Sequence, residues 1–321
     1  MAFAKDFIWC AGGASAQQDG GYLDGGKGLS VWDVPFIDGH IRNGEDNKVA
    51  CDHFHRWRDD LKLLKELGVN TYRFSISPAR IYPKNEFTVN EQGVKFYVEL
   101  VAELEKLGIR PMCTLYHWDM PMWLYKKGGW KSSLATEWFE RYTKTIVDAI
   151  SDKVEYWITF NEPQCFIAMG YGTGEHSPFE KAKYFGKREP IGAPRTTMGW
   201  TMTPECMYWS AKFFYKRYGL PIMITENGMA NVDFVYEDGK VHDPQRSEYL
   251  RTHIKQLKRA ADEGVPVIGY SCWSFLDNFE WTEGYAKRFG LVYVDYTTQE
   301  RIFKDSAYVY RDIIKSNGEN L

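Results

Sequence analysis

The chain has 321 residues, 44% hydrophobic and 26% charged, which fits one large globular domain or two small ones and excludes a compositionally disordered protein. A net charge of −3 with no basic block excludes a nucleic-acid surface, and no uncharged apolar run is long enough to span a membrane. The opening Met1-Ala-Phe-Ala-Lys-Asp lacks the apolar core of a secretory signal, and the scattered cysteines (10, 51, 113, 165, 206, 272) contain no Cys-x-x-Cys, so a cytoplasmic protein with reduced thiols is expected.

In chain order, Phe7-Ile8-Trp9-Cys10-Ala11 reads as a short apolar strand running into Gly12-Gly13, with Gln17-Gln18-Asp19-Gly20 on a loop. Residues 20–50, rich in Gly, Asp and Asn, read as a long surface loop. A helix opens at His53 and ends at Gly68, with leucines 61, 64 and 67 on its apolar face. His53 and His55 lack the Cys, Asp or Glu partners of a metal site, and neither a metal nor a cofactor is expected.

Thr71 to Ser77 is the second strand; an arginine inside it, Arg73, needs a partner or a cavity. A helix over 90–107 and a strand from Arg110 to Tyr116 follow, the latter opening into His117-Trp118-Asp119. A helix over 135–151 leads to the fourth strand, Tyr156 to Phe160, whose β-branched and aromatic run reads as buried. It ends abruptly in Asn161-Glu162-Pro163, where Pro163 restricts Glu162 to extended geometry.

Residues 164–195 are the least regular, with no strand expected. A helix over 204–218 precedes a strand with the same grammar as the fourth: Pro221-Ile-Met-Ile-Thr-Glu226-Asn227-Gly228, apolar and then polar, closed by a glycine turn. A helix over 244–263, a last strand from Val267 to Ser274, the loop Asp277-Asn278-Phe279-Glu280-Trp281 and a helix over 302–316 complete the chain. Strands alternating with helices, each strand ending in polar groups, predict a (β/α) barrel of about six strands in a single domain over 1–321. Two glutamates, Glu162 and Glu226, then sit at strand C-termini, where such folds place their chemistry. Paired carboxylates there suit acid/base work on a glycosidic bond.

The blocks FIWCAGGASAQQ, DHFHRWRDDLKLLKELGVNTYRFSIS, TLYHWDMP, WITFNEP, PIMITENG and DNFEWTEGYAKRFGLVYVDY, in this order, closely resemble glycoside hydrolase family 1, the β-glucosidase family. The resemblance implies a TIM-type (β/α)₈ barrel and a retaining β-glycosidase. It casts Glu162 as acid/base and Glu226 as nucleophile. It gives Gln17, His117, Asn161, Trp273, Glu280 and Trp281 to substrate binding, and Arg73 to support of the nucleophile. Singly, each has a plainer reading: a loop glutamine, a strand-end histidine, core tryptophans. A carboxylate at Glu280 repels phosphate, so an unphosphorylated glycone is expected.

The interval from Glu162 to Glu226 is far shorter than the family's, and the region of barrel strands five and six is missing, with the tyrosine that faces the nucleophile. An incomplete barrel, about six of eight strands, with an open gap is therefore expected, covered by a homo-oligomeric partner. Two functions compete: a retaining exo-β-glycosidase acting on a small-molecule β-glycoside, or a catalytically degenerate sugar-binding or scaffold protein of the same fold.

Overall fold

The computed structural model describes residues 2–33, 37, 39–180 and 195–321. Its strands are β1 (Ile8–Gly12), β2 (Thr71–Ser75), β3 (Arg110–Tyr116), β4 (Tyr156–Phe160), β5 (Ile222–Asn227) and β6 (Val267–Trp273), with a hairpin of β7 (Val292–Val294) and β8 (Arg301–Phe303). Its α-helices are α1 (Ser15–Gln18), α2 (His53–Leu67), α3 (Pro78–Ile81), α4 (Glu91–Leu107), α5 (Met122–Lys126), α6 (Leu134–Ile150), α7 (Pro163–Ile167), α8 (Glu205–Tyr218), α9 (Pro244–Asp262) and α10 (Asp305–Lys315).

The six long strands form one parallel sheet in the order β4-β3-β2-β1-β6-β5. First and last strands pair, Ile8 opposite Gly269 through Gly12 opposite Trp273, as closure of a barrel demands. The sheet opens instead between β4 and β5, which pair with no strand on their outer edges among the described residues. This is an incomplete (β/α) barrel, with six parallel strands among the described residues.

Burial records the gap. Every residue of β1 and β2 is buried, whereas β4 has none buried and Thr159 exposed, and β5 likewise has Thr225 exposed. The expectation of a buried fourth strand is corrected. Its apolar run is that of a barrel-interior strand, but among the described residues no strand pairs with its outer edge.

Elsewhere the apolar periodicity translates directly into packing. Leu61, Leu64 and Leu67 of α2 are fully buried, each contributing roughly 1.5–3 kcal/mol, and Gly68 ends the helix at φ +85°, a conformation costly for any other residue. Cys10, Cys113 and Cys272 are buried core thiols, and none of the six cysteines is joined in a disulfide.

Four further readings change. The loop over 20–50 is not purely superficial, since Val31, Trp32 and Ile41 are buried. Residues 302 and 303 belong to β8, and α10 starts only at Asp305. The irregular stretch after Glu162 begins as α7 and widens into a π-type turn over Ala168–Thr173, while 181–194 lie outside the described residues. Gly228 makes no left-handed turn; a Cβ there would lie 1.7 Å from the Trp273 carbonyl oxygen, so glycine permits the close approach of β5 to β6.

Candidate active site

The C-terminal ends of the six strands surround a cavity of about 800 Å³. Gln17, His117, Asn161, Glu162, Glu226, Trp273, Glu280 and Trp281 all line it, although they come from α1, β5, β6 and the segments following β3, β4 and β6. Arg73 stands just behind the wall, on β2.

Arg73 is almost completely buried, and each of its three guanidinium nitrogens donates a hydrogen bond. Nη1 donates to Glu226 Oε2 at 2.5 Å and to the Thr225 carbonyl at 3.0 Å. Nη2 donates to Asn161 Oδ1 at 2.6 Å, and Nε to Thr114 Oγ1 at 3.2 Å. One side chain thus ties the end of β5 to the residue preceding Glu162, across the open side of the sheet. The partner demanded by an arginine inside a strand is Glu226.

The chain of bonds also fixes a tautomer. Asn161 uses Oδ1 as acceptor from Arg73, so its Nδ2 is the donor to His117 Nε2 at 3.0 Å. Nε2 must then be unprotonated, and His117 is neutral; burial, and next the Arg73 charge, hold it well below its ordinary pKa. Its Nδ1–H, buried and without a partner among the described residues, is left as a donor. Gln17 ends in the complementary state. Its Nε2 donates to Asn278 Oδ1, the Phe279 carbonyl and Glu280 Oε2, leaving a buried Oε1 acceptor without a partner among the described residues.

Three carboxylates share this region. Burial, and then the charges of Glu226 and Glu162, push Glu280 up to about 8, with the Gln17 amide opposing. These surroundings favour the protonated form of Glu280. Burial of its carboxyl, and then the charge of Glu226, raise Glu162, against a bond from the Cys165 thiol and the more distant Arg73. Glu162 as a residue is solvent-exposed, which screens these effects. Its backbone is left-handed, at φ +36° and ψ +64°, rather than extended as expected from the proline that follows. This strain is of the kind stored at functional sites.

An aromatic wall completes the cavity. The His117 ring stacks toward Trp273 at 5.7 Å and Trp281 at 6.0 Å, and Trp281 leans on Trp118 and Trp32 at 4.7 and 4.6 Å. Met198, Trp200, Asn227, Tyr249 and Phe289 also line the cavity, though the sequence did not single them out. Asn227 is held by Tyr249 and Tyr270 at 3.1 and 3.0 Å. His53 and His55 serve other purposes: His53 bonds buried Asp60, and His55 bonds Asp52 at the surface.

The Glycosyl hydrolase family 1 sequence profile matches in two pieces, residues 1–186 and 180–319, which meet between Glu162 and Glu226. β-Glucosidase A of Thermotoga maritima is 33% identical over 438 aligned positions covering 98% of each chain, and a 1,4-β-D-glucan glucohydrolase of Thermotoga neapolitana is 33% identical at 98% and 99% coverage. An alignment of 438 positions against 321 residues leaves a large block of the relative without a counterpart here. The solved family 1 β-glucosidase of Thermotoga maritima superposes with a TM-score of 0.94 at 32% identity, over 98% of both chains, and its complex with glucoimidazole scores 0.94. The chain belongs to glycosyl hydrolase family 1: it is a glycoside hydrolase on a barrel shortened between its fourth and fifth strands.

Proposed function

We propose that the protein is a retaining exo-β-glycosidase acting on unphosphorylated β-glucosides or related β-glycosides by double displacement. The observation that carries this reading is the Arg73 clamp, which holds Glu226 on one side of the gap and Asn161, next to Glu162, on the other. Two carboxyls with unequal surroundings on one cavity meet the requirement of the mechanism.

In the first step the Glu226 carboxylate attacks the anomeric carbon. The glycosidic C–O bond breaks, and the Glu162 proton passes to the departing oxygen. In the second, Glu162, now a carboxylate, takes a proton from water as the water oxygen attacks the same carbon, and the ester to Glu226 breaks. Arg73 supports the ionised nucleophile, and the raised pKa of Glu162 supports its protonated start. The Gln17 acceptor, the His117 donor and the Glu280 carboxyl suit the hydroxyls of a neutral sugar, and Trp273 and Trp281 suit its apolar faces. The relatives, a β-glucosidase and a glucan glucohydrolase, favour a β-gluco configuration.

The second reading, a catalytically degenerate sugar-binding protein, draws on the exposure of Glu162 beside the missing wall. Turnover of aryl β-D-glucoside, galactoside and fucoside by the purified protein separates the two. Rates above those of Glu226→Ala support the enzyme, and glycone binding in a calorimeter with no such rate supports the degenerate protein.

The open side of the sheet supports a homo-oligomer. Unpaired edges and apolar barrel interior facing water are a liability that a second copy removes.

A further inference from the structure

Glu226 stands at a weak point of the sheet. Ile224 to Asn227 of β5 run against Tyr270 to Cys272 of β6, so β5 carries an extra residue and bulges where Glu226 lies. Among the described residues the other edge of β5 pairs with no strand. Neither ladder therefore fixes the backbone that carries this carboxylate, and Arg73 holds it only from the barrel interior.

The segment leaving β5 is held from the far side. Asn231 and Arg288 exchange backbone hydrogen bonds at 2.9 and 3.2 Å. Arg246 of α9 donates through Nε to the Met229 carbonyl at 3.3 Å and through Nη2 to Asp233 Oδ2 at 2.7 Å. The same Asp233 oxygen accepts from Lys304 Nζ at 2.6 Å, and Lys304 also donates to Asp277 Oδ1 at 2.6 Å. Asp277 opens the loop that brings Glu280 and Trp281 to the cavity. It is held separately by Arg288 Nη1 at 2.8 Å and the Gly290 N–H at 2.9 Å. The side chains of Asp233, Lys304 and Asp277 are wholly buried. With Asp243, the second partner of Arg246, three carboxylates face three cations, and the cluster is balanced in charge.

We propose that the bridge Asp233–Lys304–Asp277 positions the nucleophile: it sets the exit of β5, and with it Glu226, against the loop that holds the sugar. The proposal rests on the glycosidase reading above. Neither Asp233 nor Lys304 lines the cavity, so both are positioning residues that act through Glu226.

Charge balance separates this role from a purely structural one. Lys304→Met and Asp233→Asn each leave one buried charge uncompensated and should lower the melting temperature; together they restore the balance, and the paired variant should melt nearer the unaltered protein than either single one. Its kcat on an aryl β-D-glucoside, read well below the melting temperature, should still be roughly 10²-fold low, the scale of a misplacement of about 1 Å. Its dissociation constant for phenyl 1-thio-β-D-glucoside, an inert analogue, should change by less than about 3-fold. Gln17, His117, Asn161 and Glu280 do not sit on β5, and Asp277 keeps two of its three partners. In Glu226→Ala rescued by azide the same pair should also cost less than about 3-fold, since no group on β5 then reacts. A paired variant that recovers kcat with its melting temperature, that loses binding or azide-rescued rate in step with kcat, or that is too unstable to assay overturns the bridge alone, because the cluster then serves the fold and not the nucleophile. An unaltered protein that turns over no aryl β-D-glucoside overturns the glycosidase reading, and this proposal with it.

Discussion

Replacing Arg73 by methionine tests the clamp that links the two sides of the open barrel. Methionine fills similar space but removes all four hydrogen bonds of the guanidinium. Breaking a buried ion pair typically costs 3–5 kcal/mol; because the Glu226 side chain remains 24% exposed, the lower end, about 3 kcal/mol, is expected. Activity should fall further than stability, because Glu226 loses its partner and Asn161 its anchor together. Misplacement of one reacting group costs on the order of 10²-fold, so kcat/KM should drop by roughly 10²-fold or more. Arg73→Lys is the discriminating companion. A single ammonium can meet Glu226 but not span to Asn161 as well, so it should recover stability better than activity. Urea unfolding and kcat/KM on an aryl β-D-glucoside read the two quantities. An Arg73→Met protein within 10-fold of the unaltered kcat/KM would refute the clamp's role in catalysis.

Glu162→Gln should keep measurable turnover on substrates with good leaving groups, where protonation is least needed, while Glu226→Gln should lose nearly all of it. Azide should rescue Glu226→Ala to an inverted product and Glu162→Ala to a retained one; product anomers read by NMR check the assignment, and the opposite pairing reverses it. Because the pKa of Glu162 is raised above its ordinary 4.5 and its proton is needed, activity should fall as pH rises through that raised value, and the basic limb of the profile should vanish in Glu162→Gln. Folded Glu280 keeps its proton to about 8, whereas the unfolded chain releases it near 4.5, so the unfolded state binds fewer protons between these values and stability falls as pH rises across the window. Glu280→Gln should therefore raise the melting temperature more at pH 8 than at pH 4, and an equal shift at both would show that Glu280 does not titrate in this way.

Much of this was legible in the sequence because the barrel repeats one local pattern: an apolar run, a polar end, then an amphipathic helix. Both Glu162 and Glu226 follow such runs, and both line the cavity. Arg73 was legible through cost, since a charge inside a strand demands a partner. The β7–β8 hairpin was missed because three-residue strands carry almost no periodicity. Tyr249 was missed for another reason. It lies within α9 at core-like spacing, and only the tertiary fold turns it toward the cavity. Trp200, an exposed aromatic on a loop, gave no signal that separates a cavity wall from a bare surface. The half-burial of β4 could not be read from Tyr156 to Phe160 at all, since an interior strand and an orphaned edge share one apolar pattern; what changed was a neighbour outside the segment.

The central claim is that this shortened barrel still performs double displacement through Glu226. Incubation with an activated 2-deoxy-2-fluoro-β-glucoside, followed by mass spectrometry of the digested protein, tests it most directly, because the substituent slows breakdown of the covalent intermediate. A fluoroglucosyl group on the peptide carrying Glu226, absent from Glu226→Gln, is the predicted result. A label on another residue, or none on a protein that nevertheless hydrolyses aryl β-D-glucosides, would contradict it.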